Sequence, residues 1–145
     1  MGYRLGIDFG GTDIKAGVVN ENFEIICKGS FPTRPSHDFE TIVADMAMLA
    51  RDVADKAGVP FDEIERVGVG TPSYVHPVTK RLVFSNNTGW VNVPLFDELQ
   101  KHIPRPISVG NDANCAIIGE AIAGAARKHD NVVLLTLGTG VGGGV

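Results

Sequence analysis

"LGIDFGGTDIKAGVV", Leu5 to Val19, sets two apolar runs of strand character on either side of a turn holding Asp8, Gly10, Gly11 and Thr12. A two-residue connection such as Asn-Gly reverses a hairpin with less chain. The longer, glycine-bearing turn therefore suggests a loop that holds something. Glycine tolerates close approach and unusual backbone angles, and the amides of Gly10, Gly11 and Thr12 can converge on phosphate oxygens. Asp8, ending the first run, suits a magnesium ion, directly or through water, and Lys15 adds a positive charge nearby. A plain glycine-rich hairpin with Asp8 as a turn residue accounts for the same letters, so the rest of the chain has to decide.

Three strands are expected first: Arg4–Phe9, Ile14–Val19 and Phe23–Phe31, joined by short polar turns into an antiparallel meander. "PTRPS" ends the sheet there. From about His37 to Ala57, apolar residues recur at Ile42, Val43, Met46, Leu49, Ala50, Val53, Ala54 and Ala57, a helical stripe stopped by Gly58 and Pro60. Ile64–Gly70 reads as a strand. Thr71 to Asn92 is irregular, with a small hairpin in "VHPVTKRLV". A short helix over Pro94–Lys101, a strand at Ile107–Val109, a helix over Asn111–Ala126 and a strand at Val132–Leu137 follow. Runs of strands and helices in this order describe an α/β fold with a mixed sheet, three antiparallel strands first and helices packed on it.

Two further stretches carry chemistry. In "SVGNDANCA" a strand ends at Val109 and a helix starts near Asp112. Asp and Asn are favoured helix caps, which is one reading. The other makes Asp112 a general base for a substrate hydroxyl and Asn111 a hydrogen-bonding neighbour, at the strand end where open α/β sheets bind ligands. "LTLGTGVGGG" repeats the strand–glycine logic through Gly138, Thr139 and Gly140, without the Lys-Ser/Thr of a Walker loop. Trp90 and Tyr74 suit either sugar stacking or ordinary packing. His37, His76, His102 and His129 lack ligand spacing.

Charge and composition narrow the classes. A net charge of −4 and a pI near 5.5, with no cluster of Lys or Arg, argue against a nucleic-acid partner. No apolar stretch is long enough for a bilayer, and the first strand begins too near Met1 for a leader. Cys27 and Cys115 form no metal or redox motif and are expected as small buried residues of a cytoplasmic protein.

Taken together, "GIDFGGTDIKAGVV", "GVGTP", "NNTGWVNVPL", "VGNDANCAIIGEA" and "LTLGTGVGGG" resemble the ROK family of sugar kinases, within the actin-like ATPase superfamily of ribonuclease H-like fold. The resemblance runs nearly end to end. It implies ATP and Mg²⁺ as cofactors and a glucose-like hexose as the phosphoryl acceptor. Asp8 to Lys15 would form the first phosphate motif and Gly138, Thr139 and Gly140 the second. Asp112 would be the catalytic base, with Asn111, Asn87, Gly70 and Thr71 on the sugar side. Ser73 departs from the glycine that family members commonly carry after the proline. The family's sugar-responsive repressors begin with a helix-turn-helix for which no room is seen before the first strand. A typical member also has a second lobe of similar size, with any structural zinc. The expectation is therefore that residues 1–145 form the N-terminal lobe of such a kinase, ending inside the second glycine loop, inactive alone and self-associating. A non-catalytic sugar-binding or assembly fragment, or a ROK-type regulator, is the alternative.

Overall fold

The computed structural model describes residues 2–85, 88–137 and 141–145. Its centre is a five-stranded sheet in the order β3-β2-β1-β4-β8, made from β1 (Tyr3–Phe9), β2 (Asp13–Val19), β3 (Ile25–Pro32), β4 (Ile64–Thr71) and β8 (Ile107–Asn111). β1 to β3 form the expected antiparallel meander. β4 lies parallel to β1, and β8 parallel to β4. The parallel pairing needs a crossover, and α1 (Phe39–Lys56) supplies it.

α1 starts at Asp38, whose carboxylate accepts from the Thr41 N–H at 2.7 Å. Thr41, through its side chain first and this N–H second, holds the Asp38 carboxyl below its usual range. Its apolar stripe, including Val43, Met46, Ala50 and Val53, is fully buried against the sheet, and each large aliphatic so removed from water contributes about 1.5–3 kcal/mol. The match is close at Gly29 of β3, where a Cβ would lie 2.9 Å from Val53 Cγ1. A short second helix, α2 (Leu95–His102), packs beside α1 and buries Leu95 and Leu99.

α3 (Asp112–Ala123) begins where β8 ends. It stops three residues before the expected Ala126, because the backbone turns extended at Gly124 and the Glu120 carboxylate, in place of a helical carbonyl, accepts from Ala125 N–H at 2.8 Å. The irregular stretch contains the expected hairpin as β5 (Tyr74–Val75) and β6 (Leu82–Phe84), with an unanticipated third strand, β7 (Val91–Val93). The strand expected over Val132–Leu137 is β9 (Leu134–Leu137). It pairs antiparallel with β10 (Val141–Gly144), so part of the final glycine run is strand. Its glycines have a packing reason: a Cβ on Gly144 would lie 2.9 Å from Ile117 Cγ2 of α3. Among the described residues, no helix is long and apolar enough to cross a membrane.

Candidate active site

The alternation of β1 puts Leu5, Ile7 and Phe9 into the core and leaves Gly6 and Asp8 on the opposite face. Register extends that face sideways. Gly6 pairs with Gly17 on β2 and Gly68 on β4, and one step further Asp8 pairs with Lys15 and Gly70, with Gly110 beyond on β8. The result is a floor nearly free of side chains, with one carboxylate and one amine standing on it. α3 borders it. Together they enclose a cavity of about 610 Å³ lined by, among others, Asp8, Lys15, Gly70, Asp112, Cys115 and Thr136.

Asp8 opens on this cavity, yet burial of its carboxyl raises its pKa, Lys15 opposes the shift, and the Asp112 charge adds to it. Two carboxylates therefore share one cavity with one lysine. That arrangement leaves an electrostatic demand for a cation, and hard oxygen donors of this kind suit Mg²⁺. Among the described residues no three of His, Cys, Asp and Glu gather to hold a metal by themselves. A magnesium ion here would rest on Asp8 together with phosphate oxygens, as is usual for that ion.

The helix cap is Asn111, not Asp112. Asn111 Oδ1 accepts from the Asn114 N–H at 3.1 Å, which leaves its Nδ2 hydrogens to donate elsewhere. Asp112 is the first helical residue, and its Oδ1 accepts from the Ala113 N–H at 2.7 Å. A carboxylate at this position is favoured by the helix dipole. Gly70 lies directly beside it, where a Cβ would make ordinary contact, 3.5 Å from Asp112 Cα.

The remaining expected residues are placed less uniformly. The Gly10 N–H is engaged with Asp13 O at 3.0 Å, closing the hairpin turn. Of the three amides in the proposed phosphate cradle, that leaves those of Gly11 and Thr12. Gly10, Gly11, Thr12, Asn111 and Thr71 do not line the cavity. Thr71 is wholly buried; its hydroxyl donates to Ser73 Oγ and its carbonyl accepts from the Ser73 N–H. Asn87 and the Gly138-Thr139-Gly140 loop lie outside the described residues. Trp90 is a packing residue, stacked on Phe9 at 5.1 Å and set edge-on to Phe39 at 5.0 Å, whereas Tyr74 is exposed.

Cys115 departs from expectation: it is exposed, and Cys27 only half-buried. Cys115 lies on the cavity wall one helical turn after Asp112. Burial of its thiol, then the charges of Asp112 and Asp8, push its pKa up, so it stays protonated. The i, i+3 spacing from Asp112 was the available signal for it. Thr136 reaches the cavity from β9, and no local pattern marks it.

Comparison with known proteins identifies the family. A family model described as the ROK family matches residues 4–145. A glucokinase of Thermotoga maritima is 38% identical over 142 residues, which cover 97% of this chain and 43% of the relative. An N-acetyl-D-glucosamine kinase of Haemophilus influenzae is 33% identical over 139 residues, covering 96% and 44%. The crystal structure of a ROK family glucokinase from Streptomyces griseus, in complex with glucose and AMPPNP, matches with a TM-score of 0.88 at 37% identity, over 98% of this chain and 43% of that one. The chain thus spans less than half the length of these two curated relatives.

Proposed function

The chain belongs to the ROK family and has the actin-like ATPase fold of its kinases, and from that premise we propose that it is the N-terminal lobe of a cytoplasmic, ATP-dependent hexose kinase acting on a glucose-like sugar. The observation that carries the reading is the shared cavity of Asp8, Lys15 and Asp112 over a glycine floor. Phosphoryl transfer needs positioning and charge neutralisation more than covalent help from the protein. Asp112, at a helix start, takes the proton from the sugar hydroxyl as that oxygen bonds to the terminal phosphorus of ATP and the bond from that phosphorus to ADP breaks, releasing ADP. Asn111 uses its uncommitted Nδ2 to orient a neighbouring hydroxyl. Lys15 brings positive charge to the phosphate side, and the bare strands let phosphate and sugar approach the backbone. Asp8 would hold Mg²⁺, which would supply charge neutralisation at the transferred phosphate.

The relatives include kinases of glucose and of N-acetyl-D-glucosamine, so the class of sugar is better supported than its identity. Loss of alignment by about 1 Å costs on the order of 10²-fold, and this lobe offers one wall of a cleft. Val133, Leu135, Leu137 and Val141 are also exposed on and beside the β9–β10 hairpin, and exposed apolar surface of that kind drives association. The chain alone is therefore expected to self-associate and to turn over little sugar. Coupled ADP release with glucose, run on this chain and on a protein carrying both lobes, tests the reading. Glucose-dependent release from the longer protein alone supports it; ATP hydrolysis indifferent to sugar in both would overturn it. Light scattering on the short chain tests the association.

A further inference from the structure

Three hydroxyls are withdrawn from solvent where β4 gives way to the small sheet: Thr71 is 0%, Ser73 6% and Ser85 0% exposed. Thr71 Oγ1 donates to Ser73 Oγ at 3.3 Å, and the Ser73 N–H closes on Thr71 O at 2.7 Å around Pro72. Ser85 has both backbone groups engaged. Its N–H donates to Trp90 O at 3.0 Å, and its carbonyl accepts from Gly89 N–H at 2.9 Å. Its buried hydroxyl has no partner among the described residues, a state that native structures seldom leave unresolved. Tyr74 pairs with Phe84, so their neighbours Ser73 and Ser85 fall at the same end of that strand pair. Ser73, accepting from Thr71, keeps its own O–H proton to give.

We propose that the Ser73 hydroxyl accepts from Thr71 and donates towards Ser85 through one buried water, tying the 71–73 turn to Ser85 and, through its backbone bonds, to Gly89 and Trp90. Buried waters make two to four bonds to groups of this kind. The tie matters because of what stands at each end. Thr71 is registered against Asn111, which caps the helix that presents Asp112. Ser85 N–H donates to the carbonyl of Trp90, which is wedged between Phe9 and Phe39. Ser73 thus fixes the spacing between Ser85 with Trp90 and the Asn111–Asp112 pair. Its value to sugar binding rests on the proposed function; the tie itself does not.

The test is amide hydrogen exchange on wild type, Ser73→Ala, Ser85→Ala and the double variant, in buffer without sugar. Neither substitution adds volume, so each variant should fold. Each single change is expected to speed exchange of the Gly89 and Ser85 amides about tenfold, with the α1 amides unchanged. The double variant should exchange no faster than the faster single one, the mark of two groups acting through one link. Additive effects in the double variant would overturn the proposal, as would an unchanged Gly89 rate in Ser73→Ala. So would α1 exchange rising in step with Gly89, which marks general destabilisation. Because no sugar is present, failure here and failure of the kinase reading are separate results.

Discussion

The two faces of β1 divide the molecule. Leu5, Ile7 and Phe9 are 2%, 3% and 1% exposed and belong to the core with α1. Gly6 and Asp8, interleaved with them, look into the cavity across from Lys15, Gly17, Gly68 and Gly70. One face holds large side chains at close packing, and the other holds almost none. The period-two geometry of a strand thus lets seven residues support the fold and line a site without either task compromising the other. The same alternation runs through β2, where Ile14, Ala16 and Val18 are buried and Lys15 and Gly17 face the cavity.

Substitutions on the two faces should separate accordingly. The largest effect is expected on the cavity side: in a protein carrying both lobes, Asp112→Asn should lower kcat by roughly 10²–10⁴-fold, the usual worth of a general base. Circular dichroism should show the fold intact, because Asn111 still caps the helix. Near-normal turnover would reduce Asp112 to a helix-start residue. On the core side, Phe9→Ala removes the partner of Trp90 and opens a void in the core, at a cost of about 3–5 kcal/mol. Urea unfolding measures it directly, and a loss below about 1 kcal/mol would mean the two faces are not as unequal as they look.

Asp8→Asn sharpens the contrast through pH. With the carboxyl pushed up in the folded chain, mainly by burial, the native state binds more protons than the unfolded one between the two titrations. Stability therefore falls as pH rises through that window, and ionised Asp8 opposes folding above it. The variant should melt higher than wild type at neutral pH, and the gap should close as pH drops through the carboxylate range. Thermal melts across that range check the sign. The smallest effect is expected at Gly6, where an added Cβ meets nothing within 4 Å. Gly6→Ala should stabilise by roughly 0.4–1 kcal/mol through the unfolded chain; destabilisation in the same melts would show that the floor is packed rather than open.

Much of this division was legible in the letters. The alternation in "LGIDFGG" and the stripe from Ile42 to Ala54 mark the core faces of β1 and α1, and the Asp8 turn and "GNDAN" mark both ends of the cavity. Other features were not. β7 and β10 are three and four residues long, too short to show a period, and β10 consists mostly of glycine, which reads locally as a turn. Asn111 and Asp112 are both good caps, and only backbone geometry separates them. The withdrawal of the Thr71 hydroxyl depends on Ser73 and the packing around the turn, and the convergence of Asp8 with Cys115 and Thr136 depends on strand register and helix placement. Local patterns encode neither.

Trp90 has a further consequence. It is the chain's one tryptophan, 8% exposed and held between two phenylalanine rings. Its intrinsic fluorescence therefore reports from a single known place. Emission from the native chain should be blue-shifted by the apolar surroundings and should move to the red as Phe9 and Phe39 separate from the indole. The protein carries its own optical probe at the junction of core and cleft, so unfolding and any ligand-driven shift of Trp90 can be followed in unlabelled material.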